Sequence, residues 1–219
     1  MKILNKLFYS TLAIGALISC EASKNTSPTP ALKISENGRY LMTEDGKPFF
    51  WLGDTGWLMF NKLDRDEAEA YLEDRKSKGF NVIQAMVLHT VPSVNIYGDS
   101  SIVNGDISKP LITEGNNPNN ADEYDYWDHI DYMIDRAAAK GLYMALVPVW
   151  GTNVKNGLVT PQQAKEYASF LAERWKDKDN IIWLNGGDIK GSDSISVWKE
   201  IGPAIKTIVP KQLMTYHPR

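Results

Sequence analysis

The chain has 219 residues, a formal charge of −3, 43% hydrophobic residues and 11% aromatics. That composition excludes bulk disorder and supplies enough apolar surface for one core. The near-neutral balance excludes any electrostatic case for nucleic acid as a partner.

The chain opens with a positive n-region, Lys2 and Lys6, followed by an apolar stretch, Leu7 to Ile18, which is too short to span a bilayer. Residues 1–20 therefore read as a signal peptide. Its end, Leu17-Ile18-Ser19-Cys20, resembles a bacterial lipobox, and Cys20 is the single cysteine of the chain. A lone cysteine has no internal disulfide partner, so a lipid anchor on Cys20 is expected, the alternative being an ordinary secretion signal with an incidental cysteine. Residues 21–31 are rich in Ser, Thr, Pro and Lys and read as a flexible tether. The globular part, residues 32–219, is thereby expected at the cell envelope, in the periplasm or on the outer membrane.

From Leu32 the elements follow regularly. Leu32 to Ser35 and Arg39 to Thr43 form short strand-like runs around the Asn37-Gly38 turn signal, and Asp45-Gly46 marks a second turn. Pro48 to Gly53 is a continuous apolar run expected to be the first buried parallel strand. Asp64 to Lys78 predicts a helix with an Asp64/Glu67 capping box and Gly79 as its stop. Phe80 to Leu88 predicts the second strand, and His89 to Glu123 a long loop rich in Asn, Gly, Ser and Pro, of a length that is usually functional or mobile. Tyr124 to Lys140 predicts a helix with Trp127, Ile130, Ile134, Ala137 and Ala138 on its core face. Leu142 to Val149 predicts the third strand. Thr160, Pro161 and Gln163 open a further helix with the core stripe Tyr167, Ala168, Leu171 and Trp175. Asn180 to Leu184 predicts strand four, Ser194 to Ile208 a helix capped by Asp193 or Ser194, and Lys211 to Tyr216 strand five.

Alternating strands and helices, with strands apolar on both faces, predict a parallel sheet covered by helices. A doubly wound sheet and a (β/α)8 TIM barrel both satisfy that pattern. Gly53-Asp54-Thr55-Gly56 is not the glycine-rich phosphate loop of the nucleotide-binding version, and the leading hairpin is suited to plug the bottom of a barrel. The expectation is an α/β chain forming a TIM barrel truncated after about five strands, preceded by a β-hairpin. A complete barrel has eight strands.

Barrels place their chemistry at the C-terminal ends of the strands. Asp54, Trp57, Gln84, His89, Trp150, Asn185, Asp188 and His217 fall there. Polar groups with aromatic platforms at one rim are how a sugar cleft is built, so an oligo- or polysaccharide partner is expected. Asp188, after two glycines, is the sharpest candidate for the carboxylic acid that glycosidic hydrolysis needs. Asp54 reads either as a contact to substrate hydroxyls or as a turn anchor. Asn185 reads as a partner of Asp188 or of a sugar, or as a structural amide. His89 and His217 read as sugar contacts or structural residues, and His129 as a surface residue. Trp57 and Trp150 read as platforms; Trp51, Trp127, Trp175 and Trp183 read as core. The three histidines lack metal-ligand spacing and GxSxG is absent, so neither a metal nor a cofactor is expected.

Four segments carry a family resemblance: Asp45 to Trp57 (DGKPFFWLGDTGW), Lys78 to Gln84 (KGFNVIQ), Trp183 to Asp188 (WLNGGD) and Met214 to Arg219 (MTYHPR). With these the chain resembles the apiosidase-like catalytic domain (DUF4038), the group containing glycoside hydrolase family 140. The resemblance implies a (β/α)8 barrel and hydrolysis of pectic side chains of the plant cell wall, at apiose in family 140 itself. It implies that Asp188 is the general acid/base, and that the second carboxylate is a glutamate on a later strand beyond residue 219. A non-catalytic glycan-binding lipoprotein and an inactive fragment of a longer hydrolase are the alternatives.

Overall fold

The computed structural model describes residues 29–219. The leader, Cys20 and all of the tether before Thr29 lie outside the described residues. Two sheets are present. Strands β1 (Leu32–Ile34), β2 (Leu41–Thr43) and β3 (Pro48–Phe49) form an antiparallel sheet in that order. Gly38 and Gly46, at φ 69° and 89°, make the two turns that the Asn-Gly and Asp-Gly pairs demand.

Strands β4 (Gly53–Thr55), β5 (Val82–Leu88), β6 (Tyr143–Val149), β7 (Ile181–Gly186) and β8 (Met214–His217) form the parallel sheet in chain order. The crossovers hold the short helix α1 (Met59–Lys62), α2 (Arg65–Ser77), α3 (Tyr126–Ala139), α4 (Gly151–Lys155), α5 (Pro161–Arg174) and α6 (Ile195–Ile208). Three capping boxes start three of the four long helices: Asp64 with Glu67 in α2, Asp125 with Asp128 in α3, and Thr160 with Gln163 in α5. Each such cap stabilises its helix by about 1 kcal/mol.

The two faces of the parallel sheet differ, and this decides between the two α/β architectures. Ile83, Ala85, Val87, Met144, Leu146, Ile181 and Trp183 pack with α2, α3, α5 and α6 in one core. The alternate residues Val82, Met86, Tyr143, Ala145, Val147, Ile182 and Leu184 form a second cluster that contains no helix residue. A doubly wound sheet carries helices on both faces. Helices on one side, with strands in sequential order, make this an α/β barrel segment of five strands, incomplete against the eight of a closed barrel. Leu32 and Phe49 of the small sheet close the N-terminal end of the inner cluster, with the Phe49 ring 5.1 Å from that of Tyr143.

Three sequence-based expectations are corrected. The run Pro48 to Gly53 is not one buried strand: Phe50 and Leu52 are 79% and 40% exposed. Its peptide groups are satisfied by one side chain, since Asn81 donates to Phe50 O and accepts from the Leu52 amide. The chain thus bends between the two sheets before entering β4. Neither Asp193 nor Ser194 caps α6 through its side chain; a 3-10 turn, Gly191–Ser194, leads into the helix instead. His129 is fully buried, not superficial: it lies against Leu63 O at 3.0 Å and Tyr124 Oη at 3.2 Å. The long connection between β5 and α3 is a folded loop, held by bridges between Val94 and Ser100 and between Ile102 and Pro110.

Candidate active site

A strand's side chains alternate between its faces, so register determines which rim residues can meet. Val82, Gln84 and Met86 share the inner face of β5, and Gln84 is paired with Thr55 and Ala145. Beyond the strand ends two hydrogen bonds continue the ladder: the Met86 amide donates to Trp57 O and the Trp150 amide to Leu88 O. Trp57 and Trp150 are thereby held on the inner side, packed against the inner cluster.

Three rings from three strand ends meet there. Trp57 and Trp150 have centroids 5.7 Å apart, and the His217 ring lies 5.4 Å from Trp57 and 5.9 Å from Trp150. All three are half-buried, so they present faces and edges to the opening. The Nδ1 atoms of His217 and His89 are buried without a hydrogen-bond partner. Orphaned buried polar atoms are uncommon, and these two retain unused hydrogen-bonding capacity. His89 is fixed through its carbonyl, which accepts from Asn153 Nδ2 at 2.9 Å.

Asp188 reaches this rim through backbone contacts made by the glycines before it. Gly186 and Gly187 have φ of 108° and 146°, and Asp188 itself φ 58°. The Gly187 amide donates to His217 O, and Gly187 O accepts from the Gly151 amide. The backbone of Asp188 therefore follows directly on a residue tied to the positions of Trp150 and His217. Its side chain is exposed and makes no hydrogen bond or ion pair among the described residues. A left-handed conformation costs a non-glycine residue about 1–2 kcal/mol. Such strain concentrates at functional sites.

Asp54 and Asn185, both expected to line the mouth, face the helices. The Asp54 carboxylate accepts from Tyr71 Oη at 2.8 Å and pairs with Arg75 Nε at 3.0 Å, both on α2. Burial, with the adjacent Asp54 carboxylate, pushes the Tyr71 phenol far above its ordinary range, which keeps it a donor. Asn185 donates to Trp198 O of α6 at 3.0 Å. Parity is the physical reason: Asp54 is in register with helix-facing Ile83, and Asn185 lies two residues after helix-facing Trp183. Tyr71 and Arg75 were not singled out from sequence, although their i, i+4 spacing puts both on one face of α2.

Two hollows border the sheet. One of about 480 Å³ opens between Pro30, Leu32, Tyr143, Ile182, Val209 and Leu213, at the N-terminal ends of the strands, where barrels keep stability residues rather than chemistry. The other, about 370 Å³, lies beside Trp57, against Thr55, Leu58, Lys62 and Tyr71. Among the described residues, no group of three or more His, Cys, Asp or Glu is placed to hold a metal ion.

A one-sided α/β barrel segment with an aromatic rim at its strand ends is the architecture of barrel glycoside hydrolases. The chain belongs to the apiosidase-like catalytic domain family, whose model matches residues 35–219. It is similar to a solved glycoside hydrolase at 49% identity and TM-score 0.78, over 87% of this chain and 41% of that one. It is also similar to a structure described as a glycoside hydrolase family 5 protein from Bacteroides vulgatus, at 47% identity and TM-score 0.77, over 86% and 40% of the two chains. An endo-1,4-beta-mannanase from Rhizomucor miehei shares the fold alone, at 18% identity and TM-score 0.60 over 84% and 59%. The chain thus spans about 40% of the length of the first two. No curated protein matches it.

Proposed function

We propose that this chain carries the acid-bearing half of a glycosidase that cleaves pectic polysaccharide of the plant cell wall, apiose-containing chains included. The meeting of the Trp57, Trp150 and His217 rings, with the Asp188 backbone beside them, carries this reading. The two tryptophans stack sugar rings; Gln84, His89 and His217 take hydroxyl groups. Asp188, as general acid/base, protonates the departing oxygen as the glycosidic C–O bond breaks. Transfer of a glycosyl group to water needs no cofactor. The reaction does need a second carboxylate. Asp54 is engaged by Tyr71 and Arg75, so in this reading the second group comes from a strand outside these five. A lipid on Cys20 would hold the protein at the cell envelope.

One observation favours a second reading, glycan capture without hydrolysis: Asp188 is the single unengaged carboxylate at the ends of β4 to β8. Incubation of a protein in which the remaining barrel strands follow this chain with pectic polysaccharide, followed by chromatography of released sugar, separates the two. Release supports hydrolysis; retention on the polysaccharide with no release supports capture and overturns the proposal.

A further inference from the structure

The loop between β5 and α3 carries a second concavity, apart from the mouth. A hollow of about 230 Å³ is lined by Tyr97, Asp99, Pro118, Asn119, Ala121 and Tyr124. Its aromatic wall is fixed from behind. The Arg65 guanidinium lies 5.8 Å from the Tyr97 ring centroid and 5.3 Å from that of Tyr124, and the two rings meet edge to face at 6.2 Å. The Arg65 amide donates to Tyr97 Oη at 3.1 Å. The His129 Nε2–H donates to Leu63 O, which leaves Nδ1 to accept from Tyr124 Oη. Asp99 is held by Asn95, whose Nδ2 donates to its carboxylate and whose Oδ1 accepts its amide. Even so, Tyr97 remains 47% exposed. An aromatic held rigid and left exposed binds a ligand at little entropic cost.

We propose that this hollow binds a neutral saccharide unit, forming a subsite for a polysaccharide chain outside the mouth; the proposal rests on the saccharide reading above. The C–H face of a sugar ring stacks on the exposed Tyr97 ring, which the buried Tyr124 backs. Asp99 accepts from sugar hydroxyls and the Asn119 amide both gives and accepts. The volume lies below the roughly 300–1,000 Å³ of pockets for drug-sized ligands and suits one sugar ring. The Asp99 carboxylate in the wall selects against a uronate, because like charges brought together are repelled.

The test is isothermal titration of the 219-residue chain carrying Trp57→Ala and Trp150→Ala, which removes the platforms of the mouth. The probes are β-1,4-galactotetraose and tetragalacturonate. Galactotetraose binds this double variant, tetragalacturonate binds it more weakly, and adding Tyr97→Ala raises the galactotetraose Kd about ten-fold, the scale of a truncated aromatic anchor. Asn119→Ala, an exposed change that leaves the wall's hydrogen bonds intact, raises it in the same direction. An unchanged Kd with both additions, or no binding of galactotetraose to the double variant, overturns the subsite. Either result leaves the mouth reading to stand or fall separately, on sugar release by the protein that also carries the remaining barrel strands.

Discussion

The amide of Gly151 meets the carbonyl of Gly187 at 3.1 Å, and this contact joins the ends of β6 and β7. It is possible only because neither residue has a Cβ. One built on Gly151 would lie 2.3 Å from Gly187 O, and one on Gly187 2.5 Å from Gly151 N. Gly151→Ala is therefore expected to destabilise the fold by about 1–3 kcal/mol, the range for forced overpacking. It should also displace Asp188 from the rim. A thermal melt of Gly151→Ala with an unshifted midpoint would contradict the contact.

Asp54 is expected to act on stability and not on saccharide. Removing its charge in Asp54→Asn weakens the bond from Tyr71 and the pairing with Arg75. The loss should be about 1–2 kcal/mol, discounted for partial exposure. Paired measurements of melting temperature and saccharide Kd decide the matter. A raised Kd with an unchanged melting temperature would restore Asp54 to the binding site.

Much of this organisation was legible in the sequence because it rests on local rules. The capping boxes at Asp64 and Thr160, the turns at Gly38 and Gly46, and the order of strands and helices follow from residue spacing alone. What was not legible depends on which face a short strand presents. Asp54 sits in a strand of three residues, where two-residue periodicity has no length in which to show itself, and Asn185 sits at the end of one. The burial of His129 was hidden because the loop that covers it, with Tyr97 and Tyr124, has no periodic pattern. The ring trio was half legible: the strand-end rule named Trp57, Trp150 and His217, while their mutual contact required the register.

His129 should make stability fall in mild acid. Burial holds its imidazole below the ordinary value of 6.5, so the folded protein keeps it neutral while the unfolded chain takes up a proton. The unfolded state then binds more protons below pH 6.5, and stability rises with pH in that window. The contribution is complete above pH 6.5 and is lost as pH falls toward the depressed folded value. Melting temperatures between pH 7 and pH 5 should drop with a slope that His129→Gln reduces. Equal slopes for the two proteins would show that this histidine is not the titrating group.

Cys20 is expected to fix where the protein resides. In a bacterial host, Cys20→Ser should move the chain from the membrane fraction to the soluble extracytoplasmic fraction and abolish incorporation of labelled palmitate. Membrane association that survives the substitution would refute lipidation at this residue.

The role of Asp188 is tested most directly by the leaving-group dependence of hydrolysis. A general acid matters in proportion to how much its leaving group needs a proton. In the protein that also carries the remaining barrel strands, and with the sugar it releases from pectic polysaccharide, Asp188→Asn should lose about 10²–10⁴-fold in kcat/KM on the natural linkage. It should lose far less on the dinitrophenyl glycoside of the same sugar, which departs unprotonated. Equal losses on both substrates, or no loss on the natural one, would show that Asp188 is not the acid.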